Sequence, residues 1–376
     1  MSRLRTIYTN FPKSDLKVAF FLAACILLAI LALQASAVEL VKTLEPDRGE
    51  DEELVVSTLS FDRSGKWLAM AGNDHHIRIY ETSSFEKDSP YSPRLAVAKP
   101  KRILPGHINW IRSVTFLSGN EAILATGSAD KTVKFWNVKT GKLEKELSVG
   151  FAVRRIACSP DGRQFVVAGF HNEVFLYALP RDWQRSVTAN WRVEKLVAPT
   201  SDVRAVAISP DGKLLAAAGR SGTIRLWQLP TGRKLRDIKG DGRAVWALAF
   251  SGQQSLLAGG DAGVTQLYET RNGRSQRSYE GAEGPIRSIA LIGDGLFVEG
   301  RTIATGPSLL VWSILGGKIK SLPGHIGTVE TIAVQPRATG NGEIVATGGF
   351  DTAVKLWRAG EEWQRIARRR RASVHE

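Results

Sequence analysis

Apolar residues in this chain alternate with polar ones in short runs, and each run is bounded by glycine- or aspartate-rich turn sequence. One phrase recurs: an apolar strand, a Ser-Pro-Asp-Gly-like turn, a strand of small residues, a tight turn, then an alternating strand ending in an aromatic. Residues 206–228 show it most completely. The alternation of Val133 with Phe135, or Ile224 with Leu226, has the period of two expected of strands, and the Gly-rich turns between them suit antiparallel neighbours. The closing aromatics are Tyr80, Trp136, Tyr177, Trp227, Tyr268, Trp312 and Trp357, spaced 56, 41, 50, 41, 44 and 45 residues apart. A period of that length marks stacked or radially arranged units rather than separate domains. One small four-stranded sheet cannot bury enough surface alone, and seven such units can close into a ring that leaves no terminal face uncovered.

The first 37 residues follow a different pattern. Arg3, Arg5, Lys13 and Lys17 precede an apolar run from Val18 to Leu33, followed by Gln34-Ala35-Ser36-Ala37. A basic start, an apolar middle and a small-x-small end predict a secretory signal peptide cut after Ala37. The 16-residue run falls short of the ~20 residues that span a bilayer. An uncleaved membrane anchor is the alternative, and Leu22-Ala23-Ala24-Cys25 also resembles a lipoprotein processing box. The expectation is an exported protein, periplasmic or extracellular, with residues 38–363 forming the repeat body and 364–376 an Arg-rich flexible tail.

Composition narrows the class. At 43% hydrophobic and 23% charged, the 376-residue chain is neither disordered throughout nor a polytopic membrane protein. Its two cysteines, Cys25 and Cys158, exclude a disulfide scaffold and a Cys-based zinc site. The net charge of +14 raises nucleic acid, anionic membrane or acidic protein as partners. Removing the leader leaves +11, and the tail accounts for +4 of that, so the 326-residue body carries +7. A modestly basic, translocated body is not expected to bind nucleic acid.

Two repeats carry more specific signatures. The second holds Gly106-His107, residues 125–130 (Ala-Thr-Gly-Ser-Ala-Asp) and Phe135-Trp136. The seventh holds Gly324-His325, Ala346-Thr347-Gly348-Gly349-Phe350-Asp351 and Leu356-Trp357. This phrase resembles the WD-repeat (WD40) β-propeller family over nearly all of 39–363. The resemblance implies an all-β, seven-bladed propeller of four-stranded antiparallel blades. It also implies a buried hydrogen-bonded chain in each complete blade: His107, Ser128, Asp130 and Trp136 in the second, and His325, Thr347, Asp351 and Trp357 in the seventh. The other repeats depart from the pattern, with Asp74 and Tyr80 in blade one, His171, Ser221 and Ala262 at the aspartate position of blades three to five, and a shortened sixth around Gly306-Pro307-Ser308. Those blades are expected to be held mainly by apolar packing. Glu39 to Glu45 is expected to supply the outer strand that closes the last blade, with Trp363 to Ala367 competing for that place.

The sequence shows no Gly-x-Ser-x-Gly elbow, phosphate loop or His-Glu-x-x-His. Asp161 and Asp211 sit in Ser-Pro-Asp-Gly turns, where aspartate suits the backbone geometry. His75, His76 and His171 read as solvated turn residues and Cys158 as packing. No enzymatic activity, cofactor or metal is expected. The position after the first hydrophobic residue of each inner strand reads Ser57, Arg112, Arg154, Arg204, Trp246, Arg287 and Glu330. In the family resembled here that position tends to line the upper mouth of the central channel. Arg112, Arg154, Arg204, Trp246, Arg287 and Glu330 are therefore the candidate partner-binding set. Clustered guanidiniums repel one another and favour an anion, and arginine suits carboxylates bidentately. Two readings compete: Glu330 and the acidic run from Glu45 to Glu53 neutralise the ring, or the arginines extend to water.

The function expected is a monomeric, non-catalytic protein-binding scaffold taking a partner segment, acidic in character, at the mouth. The alternative is a propeller enzyme or small-ligand or metal binder using top-face His and Arg residues. Arg368 to Arg371 would add weak contact with an anionic membrane surface.

Overall fold

The structure is a computed structural model and describes residues 40–44, 54–85, 99–118, 122–180, 191–281, 283–293, 295–336 and 343–359. The leader, the acidic run at 45–53 and the Arg-rich tail lie outside the described residues. The described strands form seven four-stranded antiparallel sheets. Six sheets use four consecutive strands each, beginning with inner strands Val56–Phe61, Ile111–Phe116, Val153–Cys158, Val203–Ile208, Val245–Ser251 and Ile286–Ile292. The seventh takes Val329–Val334, Glu343–Gly349 and Val354–Ala359, and its outer strand is Leu40–Leu44 from the other end of the chain. Each inner strand packs beside the next, and that of blade seven meets that of blade one, so the ring is closed. The competing segment Trp363 to Ala367 lies outside the described residues.

The second strand of each blade explains the small-residue runs. Ile123–Ser128 and Gln164–Gly169 are buried along their whole length because a neighbouring sheet covers each face. At Gly127 a β-carbon would lie 2.6 Å from Val153 Cγ1, so only glycine allows blades two and three to approach this closely. The apolar core consists of clusters between adjacent blades. Between blades two and three, for example, Phe135 packs against Phe165 and edge-on to Trp191 at 4.9 Å. Hydroxyls on the inner strands tie neighbouring blades together. Thr331 accepts the Leu59 N–H at 3.1 Å, Thr58 that of Val114 at 3.0 Å, and Ser113 that of Ile156 at 3.1 Å.

The polar chain forms in blades two and seven, with one change of membership. His107 Nδ1 donates to Asp130 at 2.7 Å, Thr126 Oγ1 lies 2.7 Å from His107 Nε2, and Trp136 Nε1 donates to Thr126 Oγ1 at 3.0 Å. Thr126, not Ser128, is therefore the hydroxyl of blade two. Ser128, one step further along the same face of the strand, binds the turn, donating to the Asn109 carbonyl and accepting the Asp130 N–H. Blade seven repeats the geometry through His325, Asp351, Thr347 and Trp357 at 2.7–2.9 Å. Burial alone would raise the Asp130 and Asp351 pKa values. Hydrogen bonds and charge from His107 and Thr132, or from His325 and Lys355, outweigh it and hold both carboxylates below their ordinary range. Depressed carboxylates contribute stability that is whole above the unfolded value, near 4, and lost as pH falls below it. Urea titrations at pH 7 and pH 3 should show wild type losing more stability on acidification than Asp130→Asn, and equal losses would contradict this.

The remaining blades are not held by apolar packing alone, because ion pairs, two of them buried, replace the chain in several. Arg78 and Asp74 pair in blade one with only 6% of each side chain exposed. In blade four Arg225 makes a two-pronged bond to Asp237 at 2.6 and 2.8 Å, which holds that carboxyl at about 2. In blade six Arg301 and Glu299 pair at 2.7 Å with both side chains fully buried. Blade three does follow the apolar expectation, with His171 stacked on Phe151 at 4.9 Å.

Candidate functional site at the channel mouth

All seven inner strands slip register at the same place: between Val56 and Thr58, Ile111 and Ser113, Val153 and Arg155, Val203 and Ala205, Val245 and Ala247, Ile286 and Ser288, and Val329 and Thr331. The extra residue of a β-bulge leaves the ladder, and its side chain is re-aimed. Those seven residues are Ser57, Arg112, Arg154, Arg204, Trp246, Arg287 and Glu330. The bulge needs its partner strand close: a β-carbon at Gly219 would sit 1.9 Å from the Asp202 carbonyl oxygen. Repetition of one backbone device in seven blades thus sets one ring of side chains at the start of the inner strands. Ser57 is buried there and adds no exposed group.

Within the ring Trp246 is held between two guanidiniums. Arg204 lies 3.8 Å and Arg287 4.0 Å from its ring centroid, both in cation–π range. The Trp246 indole donates to Asp261 at 2.5 Å, and Arg287 donates to Thr302 at 3.1 Å. Arg154 covers Phe170 at 4.4 Å and Arg112 covers Trp110 at 4.1 Å. Glu330 lies near Arg112 and Arg155, opposing the loss of charge that burial favours at both. Arg155 itself donates to the Arg112 carbonyl at 3.0 Å. A cavity of about 170 Å³ behind the ring is lined by Thr58, Ser113, Arg155, Trp246, Arg287 and Glu330.

Two carboxylates here were not among the sequence candidates, because neither position carries a carboxylate in the other repeats. Asp202 precedes its strand and receives Arg204 at 2.7 Å, with Arg154 at 3.9 Å. Asp261 lies in a turn. Among the described residues the mouth gathers five guanidiniums (Arg112, Arg154, Arg155, Arg204, Arg287) and three carboxylates (Asp202, Asp261, Glu330), so positive charge is in excess there. Burial, with Arg112, Arg204 and Arg155 nearby, pulls the Arg154 pKa down to about 10 despite Asp202. Such a group gains from an added anion. Exposed apolar residues stand on the same end of the ring: Ile108 and Ile326 after the two Gly-His pairs, with Phe170 and Phe350 at the ends of second strands.

The other histidines do not assemble. His76 Nδ1 bonds the Asp74 carbonyl at 2.6 Å, and His171 Nδ1 accepts the Glu173 N–H at 3.1 Å. Among the described residues no three His, Cys, Asp or Glu side chains converge as a metal set. Cys158 is largely buried, and burial pushes its thiol up to about 11, away from a reactive thiolate.

The fold is a seven-bladed propeller, and four of its segments match a known repeat model. The family model for the WD domain, G-beta repeat matches residues 39–81, 98–137, 191–228 and 316–358. Each match begins with the outer strand of one blade and ends with the third strand of the next, so the repeat is offset from the blade by one strand. That offset is why Leu40–Leu44 closes the ring. Among curated proteins the chain is similar to eukaryotic translation initiation factor 3 subunit I of Aspergillus terreus, 32% identical over 127 residues, 34% of each chain. It is also similar to the LST8 homolog of Drosophila melanogaster, 27% identical over 134 residues, covering 35% of this chain and 39% of that protein. The E3 ubiquitin-protein ligase COP1 of Pisum sativum is 29% identical over 132 residues, covering 32% and 17%. The match spans about a third of the length of the first of these relatives.

Proposed function

We propose that this propeller is a non-catalytic, monomeric platform that binds a protein segment across its mouth, one bearing carboxylates interspersed with apolar residues. The observation that carries the reading is Trp246 between Arg204 and Arg287 on a ring of bulged residues with surplus positive charge. Asp202 and Glu330 offset that charge in part, and a carboxylate-bearing segment would offset the rest. Ile108, Phe170, Ile326 and Phe350 offer apolar contact around it. The name of the Aspergillus relative makes it a subunit of a larger factor, which accords with a role in assembly. Export rests on the leader alone: its basic, apolar and small-residue order addresses the propeller to the periplasm or the exterior.

The test is affinity capture from the native compartment with the purified full chain. Arg154→Ala combined with Arg204→Ala removes two charge-assisted contacts. It should weaken capture of the partner by more than about tenfold and flatten its salt dependence. Capture undiminished in the double variant would overturn the reading.

A further inference from the structure

Strand register equates positions across blades. His107, Thr126, Asp130, Lys134 and Trp136 of blade two correspond in blade five to Asp241, Ala258, Ala262, Gln266 and Tyr268. In blade two the first four groups and the indole fill the top of the blade, and the Lys134 ammonium donates to the Gly106 carbonyl at 2.6 Å. Lys355 does the same to Gly324 in blade seven, and Arg225 reaches the Val197 and Ala198 carbonyls in blade four. Blade five replaces each of these groups by a smaller one. What is left is an opening of about 530 Å³ between blades four and five, floored by Gly222, Gly240, Gly259 and Ala258. That volume lies in the range of small-molecule sites.

The lining selects the kind of ligand. Tyr268 is more than nine-tenths buried, yet its hydroxyl makes no hydrogen bond among the described residues and borders the opening. Gln266 Oε1 accepts from Ser275 and Ser278, each at 2.9 Å, which leaves the amide N–H2 group for another partner. At the rim stand Asp241 and Glu280 against Lys239 and Arg243, two charges of each sign, with Arg243 4.0 Å from Asp241. A balanced rim gives no advantage to a net anion or a net cation. An apolar ligand would strip water from Tyr268, Gln266, Ser275 and Ser278 without replacing its hydrogen bonds. A ligand rich in hydroxyls both donates and accepts, and vicinal hydroxyls suit the two carboxylates as acceptors. We propose that the opening between blades four and five is a binding site for a neutral polyhydroxylated molecule of the saccharide class. The site is separate from the mouth and shares none of its residues.

Calorimetry and ligand-observed NMR on the purified full chain, with glucose, galactose, N-acetylglucosamine and their β-linked disaccharides as probes, test this. At least one sugar should bind saturably at one site per chain. Tyr268→Phe, which removes only the unpartnered hydroxyl, should weaken that binding by about tenfold. A variant that copies blade two (Asp241→His, Ala258→Thr, Ala262→Asp, Tyr268→Trp) fills the opening. It should abolish binding while melting no lower than wild type. Arg154→Ala should leave sugar binding intact, which separates this site from the mouth. No saturable binding of any probe, or binding that Tyr268→Phe leaves unchanged, would overturn the proposal.

Discussion

Replacing Arg301 by methionine is expected to destabilise the propeller by about 3–5 kcal/mol, a large share of the stability of an ordinary domain. Arg301 and Glu299 are both fully buried in blade six. Two guanidinium N–H groups bind Glu299 Oε1 at 2.7 and 2.9 Å, while Thr265 donates to Oε2 at 2.5 Å from blade five. The same guanidinium donates to the Gly263 and Gly284 carbonyls at 3.0 and 3.2 Å. Removing the cation strands a carboxylate without water and leaves two backbone carbonyls short of a donor. The double variant Glu299→Gln, Arg301→Met keeps an acceptor for Thr265 and carries no buried charge, so it should recover most of the loss. Denaturation midpoints in urea decide the matter, and a single variant as stable as wild type would contradict this account of the pair.

Thr126→Val should cost about 2–4 kcal/mol, because one hydroxyl serves both the Trp136 indole and the His107 ring and its removal leaves two buried polar groups unsatisfied. Ser128→Ala, two residues away and also fully buried, loses only the Asn109 and Asp130 turn contacts and should cost about 1 kcal/mol. Thermal melts of the two variants rank them, and equal losses would contradict the placement of Thr126 in the chain.

The ring was legible in the sequence because its evidence is periodic: strand alternation, turn residues and closing aromatics repeat with each blade. The bulged position was legible for the same reason, since the residue after the first inner hydrophobic is the one that leaves the ladder in every blade. What could not be read was whatever occurs once. Thr126 and Ser128 are both hydroxyls on the same face of one strand, and only their level along it decides which meets His107. Asp202 and Asp261 stand at positions that carry no carboxylate in the other blades, so the partial neutralisation of the mouth by Asp202 was invisible beforehand. Glu299 and Arg301 sit two apart in a blade whose pattern is degraded, and no spacing rule signals that they turn toward each other and away from solvent. The opening in blade five is a fact of omission. Ala262 was noted as a departure, but its consequence depends on Ala258, Gln266 and Tyr268 being small or short at the same level.

The most direct test of partner capture at the mouth is site-specific photo-crosslinking. A crosslinking residue placed at Trp246 stands among Arg204, Arg287 and Asp261. One placed at Lys213 lies in the exposed turn after an inner strand, at the opposite end of the blade. Crosslinking at position 246 should trap one protein through a segment rich in Asp and Glu, and position 213 should not trap it. Equal trapping of that protein from position 213, or a trapped segment without acidic residues, would contradict the account.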